Sequence, residues 1–190
     1  MTEFDRREDV VQDTLSEAWS LFTSDFVLWI IAGLILLVVT VVSLGILGGP
    51  MTVGFIQLVE RRRRGEPVSA TDIFDGFEHF GASLIASILI CVGVTIGMVL
   101  LVLPGLLFGL AMSFAFHAIA IDDNDATGAL GKSFELIKKD FALSAVFLVI
   151  VLVLSGIGGA VGFGILLTMP FTLILMTFAY HRLSALRANG

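Results

Sequence analysis

The sequence has few charged residues and almost no cysteine. Of its 190 residues, 15% are Asp, Glu, Lys or Arg, 57% are hydrophobic, and one is a cysteine. Soluble domains carry about 25% charged residues. A single cysteine excludes a disulfide scaffold, and the hydrophobic content excludes intrinsic disorder. The composition therefore indicates a membrane protein, in which Cys91 is expected to be a small packing residue.

Charge is absent from three long segments. They contain 34, 43 and 41 residues and span 26–59, 79–121 and 141–181. A membrane-spanning helix needs about 20 apolar residues, so each segment is too long for one helix and suits two. Glycine and proline, which favour turns, lie near the middle of each segment, at 45–50, 102–105 and 156–164.

The sequence therefore predicts an all-α polytopic membrane protein with six transmembrane helices arranged as three hairpins. The predicted spans are 26–44, 49–63, 81–101, 104–121, 141–157 and 163–183. The first hairpin leaves roughly 15 residues per helix, or about 22 Å, against a hydrocarbon core of about 30 Å. Local thinning of the bilayer would accommodate it, and a re-entrant hairpin is the alternative.

The basic residues predict the orientation of these hairpins. Three even-numbered hairpins place every charged cluster on one side of the membrane. The strongest basic run is Arg61 to Arg64, followed by Lys138, Lys139, Arg182 and Arg187. Cytoplasmic loops carry the excess of Lys and Arg. We therefore expect a multi-pass protein of the cell (plasma) membrane with both termini in the cytoplasm.

A sequence pattern recurs ahead of the hairpins. The segment 15–28 aligns with 130–143 at a constant offset of 115, and a diverged copy lies at 73–80. We interpret residues 1–190 as a single integral membrane domain with a three-fold internal repeat, whose units are at about 10–64, 69–121 and 127–187. Apolar residues at helical spacing predict an amphipathic interfacial helix before each hairpin. A cytoplasmic extension packed on its neighbours is the alternative.

Several of these motifs together resemble a known group of membrane proteins. The motifs are the aromatic segment 18–22, Gly49-Pro50, the segment 72–77 after the arginine run, Leu103-Pro104-Gly105 and the segment 133–138. This pattern resembles the YciC-like proteins and the membrane domain fused to some glycerophosphoryl diester phosphodiesterases. The resemblance implies a six-helix fold and an association with lipid metabolism. It does not imply phosphodiesterase activity, because the catalytic region of those enzymes has no counterpart here.

Polar residues near the helix ends can be interpreted as structural or as functional. Asp25 and Asp140 precede apolar runs at equivalent repeat positions, where they either cap helices or form a polar cluster. The segment 122–125 is rich in Asp but lacks the spacing of a calcium loop. His117 and His181 have no metal-ligand spacing on their own helices. We predict no catalytic residue, no metal site and no cofactor.

The arginine run has a second expected role beside setting topology. Arg61, Arg62, Arg63 and Arg64 follow a membrane helix, where each basic residue contributes about 1 kcal/mol of attraction to an anionic lipid surface. The expected partners are therefore membrane lipids, with a second copy of the chain or another membrane protein left open, and no nucleic acid. Glycines four residues apart, Gly93 with Gly97 and Gly105 with Gly109, are expected to allow close helix packing.

No Asp, Glu, Lys or Arg lies within a predicted span. Proton-coupled transporters place ionisable residues there. We therefore predict a non-enzymatic integral membrane protein that acts as a lipid-interacting or partner-binding scaffold. A channel, carrier or exporter for an apolar or lipid-like molecule is the alternative. A membrane-embedded lipid enzyme ranks third and would require a dyad such as His117 with Asp25.

Overall fold

A computed structural model describes residues 3–100, 105, 108–109, 111–160 and 164–188, and these residues are helical without any β-strand. The helices are α1 Glu3–Ser24, α2 Phe26–Val42, α3 Gly48–Arg63, a 3-10 helix Ala70–His79, α4 Phe80–Leu100, α5 Ala115–Asp122, α6 Ala126–Lys139, α7 Phe141–Ala160 and α8 Ile165–Ala188. The prediction of an all-α fold is confirmed for this part of the chain.

Helices occur at the predicted positions of the spans. The predicted spans 26–44, 49–63, 81–101 and 141–157 correspond to α2, α3, α4 and α7, and 163–183 corresponds to α8. The ends of three predicted spans, at residues 101, 104 and 163, lie outside the described residues, as does the predicted turn at 102–104. Within 104–121, a turn at residues 112–114 precedes the short helix α5.

Three helical segments are long and apolar enough to cross a membrane. They are Ala70–Leu100, Phe141–Ala160 and Ile165–Ala185. A fourth would be a broken span made of Arg7–Ser24 and Phe26–Val42, which meet at 91°. The bend is fixed by the buried Trp29, whose indole N–H donates to the carbonyl of Leu21 at 2.9 Å. Helix α1 therefore runs almost perpendicular to α2.

Helix α3 lies at the centre of the bundle, in contact with α2, α4, α5, α8 and the 3-10 helix. Ten of its sixteen residues are buried, among them Met51, Phe55 and Ile56. Protein rather than lipid surrounds α3. This explains why a helix that carries Gln57 and Glu60 need not be uniformly apolar.

Two predictions about individual residues have different outcomes. Cys91 is exposed on α4, so the prediction that it is a packing residue is wrong. Periodicity located its helix but did not show that residue 91 faces outward. A β-carbon on Gly93 would lie 2.2 Å from the ring of Phe108, and one on Gly105 would lie 2.6 Å from the nitrogen of Met98. These two glycines therefore allow close packing, as predicted, and the structure shows that this packing is within one chain.

Candidate functional site

Of the four arginines at the end of α3, two form ion pairs with residues from other parts of the chain, and two pair with Glu60 of α3 itself. The guanidinium of Arg61 contacts Asp75 of the 3-10 helix at 2.6 Å. Arg62 contacts Asp25, which lies between α1 and α2, at 2.5 Å. The arginine run therefore fastens the cytoplasmic end predicted for α3 to its neighbours, and its predicted contact with anionic lipid stays a prediction.

Glu60 is the buried centre of this charged cluster. Its side chain is 8% exposed and accepts hydrogen bonds from Arg63 and Arg64, both at 3.2 Å. His181 of α8 contacts the second carboxylate oxygen at 2.8 Å. One carboxylate thus joins α3 to α8 across 121 positions of sequence.

A second polar cluster lies where α5, α6 and α8 meet. The hydroxyl of Tyr180 donates to Asp122 at 2.5 Å, and the ammonium of Lys132 lies 3.3 Å from the same carboxylate oxygen. The buried ring of His117 stacks on Tyr180, with ring centroids 5.8 Å apart. Asp25 pairs with Arg62 instead, so the structure does not join His117 and Asp25 in a dyad.

The residues that precede the apolar helices differ in their roles. Asp140 accepts a hydrogen bond from the backbone N–H of Leu143 at 3.0 Å, which confirms the predicted N-cap of α7. Asp25 makes no such bond, so its predicted capping role is wrong. The competing ion pair with Arg62 draws its carboxylate away from the helix end. His79, which directly precedes α4, contacts Asp123 at 2.9 Å.

The acidic segment 122–125 does not converge on a single point. Asp122 contacts Tyr180 and Lys132, and Asp123 contacts His79. Asp125 caps α6 through the N–H of Gly128, and hydrogen bonds from Thr127 and Gly128 lower the pKa of its carboxyl group. Among the residues that the structure describes, no group of three His, Cys, Asp or Glu side chains could hold a metal ion.

A cleft of about 450 Å³ opens between α1 and the arginine cluster. We call it the serine-arginine cleft. Its lining residues are Ser16, Glu17, Ser20, Leu21, Ser24, Arg62, Arg63 and Phe178. The guanidinium carbon of Arg63 lies 5.8 Å from the centre of the Phe178 ring, within cation–π range. Hydroxyl groups, guanidinium groups and apolar surface therefore meet in one opening.

A second cavity, of about 290 Å³, lies between α3, α7 and α8. Four hydroxyl side chains line it: Thr52, Ser155, Thr168 and Thr172. The hydroxyls of Thr52 and Thr168 donate to carbonyl groups of their own helices. The hydroxyl of Thr172 is buried and has no hydrogen-bond partner within the described ranges. This cavity offers polar groups to a small molecule among otherwise apolar helices.

Exposed aromatic side chains cluster where the amphipathic segments meet the apolar helices. They are Trp19, Phe26, Phe74, Phe77, Phe80, Phe134 and Phe141. Phe74, Phe77 and Phe80 also stack on one another, with centroids 6.2 and 6.1 Å apart. Aromatic residues are enriched at membrane–water interfaces, where their rings reach headgroup level.

Sequence reasoning identified the arginine run but not its partners. The periodicity of α1 places Ser16, Ser20 and Ser24 one turn apart, which was a readable signal for one wall of the cleft. No local pattern shows that this wall faces Arg62 and Arg63, because the contact depends on the bend after α1. The pairing of Glu60 with His181 likewise had no local signal.

Comparison with known proteins identifies a family but no function. A family model described as "Domain of unknown function (DUF7847)" matches residues 10–188. The chain therefore belongs to this family. No curated protein and no solved structure matches it. The resemblance to the YciC-like proteins stays a prediction.

Proposed function

We propose that this member of the DUF7847 family is a non-enzymatic integral membrane protein that acts as a lipid-interacting scaffold. In this proposal the chain lies in the cell membrane with both termini in the cytoplasm. Its helices form three hairpins that cross the bilayer six times. The observation that carries the proposal is the combination of apolar outer helix faces with an arginine cluster beside an interfacial helix.

The outer faces of three helices support residence in lipid. Large apolar side chains are exposed along the whole length of each helix. On α2 they include Val27, Ile31, Leu34, Val38 and Val42, on α4 Ile85, Ile88, Val92, Ile96 and Val99, and on α7 Val146, Val149, Leu152, Val153 and Ile157. Exposed apolar surface of this extent is expected to face lipid or another protein rather than water.

The geometry of α1 supports an interfacial location. If α2 crosses the membrane, the 91° bend places α1 along the membrane plane. Trp19 is 58% exposed on α1, and Phe26 is 45% exposed at the start of α2. These rings would anchor the junction at headgroup depth, as aromatic residues do at other membrane interfaces. The neighbouring arginine cluster would then lie at the same depth.

Six crossings require the first hairpin to span the bilayer. Helix α2 has 17 residues, which corresponds to about 25 Å at 1.5 Å per residue. That length fits a locally thinned bilayer. Helix α3 is sheltered by its neighbours, so its polar residues do not meet lipid. These features support six crossings, and a re-entrant first hairpin remains the alternative.

The proposed three-fold repeat is supported by a recurring contact. Asp25, before the first hairpin, contacts Arg62 at its end. His79, before the second hairpin, contacts Asp123 at its end. In the third unit Asp140 contacts Arg7 of α1 instead. In two units, therefore, a charged or titratable residue before the hairpin contacts one at its end. In the third unit the corresponding contact is made with α1.

The stability of purified protein tests the lipid-interacting function. A ligand that binds only the folded state raises the melting temperature. We expect phosphatidylglycerol added to the detergent-solubilised protein to raise Tm, and phosphatidylcholine at the same concentration to raise it less. Equal effects of the two lipids would contradict a preference for anionic lipid, and no effect of either would contradict the lipid-interacting function.

A channel, carrier or exporter for an apolar or lipid-like molecule is the second candidate. The hydroxyl-lined cavity between α3, α7 and α8 favours it, because the buried hydroxyl of Thr172 lacks a partner among the described residues. Scrambling of a fluorescent lipid between the leaflets of proteoliposomes would support transport. Lipid-dependent stability without scrambling supports the scaffold instead.

A further inference from the structure

We propose that the serine-arginine cleft binds the phosphate group of an anionic glycerophospholipid headgroup. This inference rests on the proposed lipid interaction and assigns it to a defined site. Arg62 and Arg63 would donate to the phosphate oxygens from one wall of the cleft. Ser20, at the middle of the other wall on α1, would donate together with one of Ser16 and Ser24, because those two lie about 12 Å apart along the helix and cannot both reach one phosphate. Arg61 and Arg64 do not line the cleft.

The two arginines retain donors for a ligand. Arg62 uses Nε and Nη2 for Asp25, and Arg63 uses the same two nitrogens for Glu60, with Nη2 also 3.1 Å from Nε2 of His181. In the described part of the chain no hydrogen bond involves Nη1 of either residue. A guanidinium group has five N–H donors, so each arginine can bind a phosphate oxygen while it keeps its carboxylate partner.

The serine wall is also available to a ligand. Ser16 and Ser20 are exposed, and their hydroxyl groups make no hydrogen bond with any described residue. The hydroxyl of Ser24 lies 2.9 Å from the carbonyl oxygen of Leu21 and 3.3 Å from the carboxylate of Asp25, so it would have to rotate to donate to a phosphate. Because the three serines are four residues apart, they form one line of hydroxyl groups along α1.

The carboxylates near the cleft are already paired with cations. Glu17, which lines the cleft, contacts Arg182 at 2.7 Å. Asp25 contacts Arg62, and Glu60 contacts both Arg63 and Arg64. An incoming phosphate would therefore not meet an unpaired carboxylate. Counting these residues alone, four arginines face three carboxylates, which leaves a positive charge for the anion.

The surroundings favour a lipid headgroup over a soluble phosphate. Leu21 and Phe178 give the cleft an apolar part, which would suit the glycerol backbone and the first carbons of a lipid. Exposed Trp19 lies on the same helix as the serine wall. If this ring marks the membrane interface, the cleft opens at the depth where lipid phosphates lie.

Energy transfer from tryptophan to a dansyl-labelled lipid tests the site. The chain has two tryptophans, and Trp19 lies on the wall-forming helix. Full-length protein would be reconstituted in nanodiscs of phosphatidylcholine that contain dansyl-phosphatidylglycerol. Unlabelled phosphatidylglycerol, unlabelled phosphatidylcholine and free glycerol phosphate would then compete for the signal. For each lipid, the concentration that removes half of the energy-transfer signal is measured. The ratio of the phosphatidylcholine value to the phosphatidylglycerol value gives the protein's preference for phosphatidylglycerol.

Three variants locate the site without removing an ion pair. Ser20→Glu places a carboxylate in the cleft, Ser20→Gln adds nearly the same volume without charge, and Thr23→Glu adds the same charge to exposed α1 outside the cleft lining. We expect Ser20→Glu to reduce the preference for phosphatidylglycerol by about five- to tenfold, on the scale of one lost basic contact. The other two variants should stay within about twofold of the unmodified chain.

Each other outcome overturns a specific part of the proposal. If Ser20→Glu and Thr23→Glu have the same effect, the cleft is not the binding site, although the lipid interaction stands. If the unmodified chain shows no preference for phosphatidylglycerol over phosphatidylcholine, the result contradicts both the selective interaction with anionic lipid and the proposed site in the cleft. If millimolar glycerol phosphate displaces the labelled lipid completely, the site recognises soluble phosphate rather than a lipid.

Discussion

Gly54 of α3 and Gly76 of the 3-10 helix meet backbone to backbone. A β-carbon on Gly76 would lie 2.4 Å from the nitrogen of Gly54 and 2.1 Å from the carbonyl oxygen of Pro50. A β-carbon on Gly54 would lie 1.8 Å from the carbonyl oxygen of Ile73. Neither backbone can yield as a flexible side chain would. This contact therefore fixes how closely the central helix approaches the 3-10 helix.

Replacement of Gly76 tests this packing. We expect Gly76→Ala to destabilise the protein by about 1–3 kcal/mol or more, because the methyl group overpacks a rigid contact. The matched control is Gly81→Ala in α4, where a β-carbon would meet no atom within 4 Å. The control should be neutral or stabilise by up to about 1 kcal/mol. Unfolding in mixed micelles measures both, and equal stabilities would contradict the close contact.

The sequence allowed the helices to be predicted far better than this contact. Charge-free segments and breakers gave the positions of α2, α3, α4 and α7, because apolar periodicity and turn residues act locally. The central position of α3 was not predicted. The length of the first charge-free segment predicts α3 as a short membrane span, whereas in the structure five neighbouring elements pack against it. Gly76 lies in the segment 72–77, one of the motifs that carry the family resemblance, but only the tertiary structure shows what it contacts.

Glu60 provides a test of the charged cluster at the end of α3. Its side chain is 8% exposed and pairs with Arg63, Arg64 and His181. We expect Glu60→Gln to cost about 1.5–3 kcal/mol, because the buried side chain loses its charged hydrogen bonds, whereas Arg63 and Arg64 are 34% and 59% exposed and can turn to solvent. The exposed pair of Glu17 and Arg182 offers the control, and Glu17→Gln should cost at most about 1 kcal/mol. Similar losses in the two variants would show that burial does not strengthen the Glu60 cluster.

Cysteine labelling tests the proposed topology. Single cysteines at Ser69, Asn124 and Asn189, in a Cys91→Ser background, should all be shielded from an impermeant reagent in intact cells and react after permeabilisation. Cys91 is exposed on α4, so its replacement should leave the packing intact. Asn189 lies outside the described residues and reports on the C-terminus alone. Labelling of one site in intact cells would show that a hairpin does not cross as proposed.

The arginine run gives a separate prediction about orientation. Replacement of Arg61, Arg62, Arg63 and Arg64 by Gln should yield a mixed or inverted population, or failed insertion, because the strongest cytoplasmic signal is lost. The control replaces all four by Lys, which keeps the charge but loses the forked geometry of the guanidinium group. The Lys variant should keep its orientation, as the same cysteine labelling would show. Unchanged topology in the Gln variant would show that the remaining basic residues suffice.

Proton coupling is the property that the helices are least equipped to provide. The segments 26–59 and 141–180 contain no Asp, Glu, Lys, Arg or His, and of these residue types 79–121 contains only His79 and His117. His79 contacts Asp123, at the end predicted to be cytoplasmic. A charge at mid-bilayer costs at least about 2.5–3.5 kcal/mol, so a chain that used one would be expected to retain a visible acidic or basic residue there.

We therefore expect purified protein in liposomes to carry no proton-coupled current and no pH-dependent uptake. His117 is the side chain best placed to contradict this, because its imidazole is buried within a predicted span and its ring nitrogens can carry a proton. Its ring is buried and stacks on Tyr180, so His117→Ala would open a cavity, whereas His117→Phe keeps an aromatic ring and removes only the titratable group. A proton current in the unmodified chain that disappears in His117→Phe, with the fold intact, would exclude a passive scaffold. In that case the buried stack of His117 on Tyr180, which leads to Asp122 through the tyrosine hydroxyl, would be the first candidate for the proton's path.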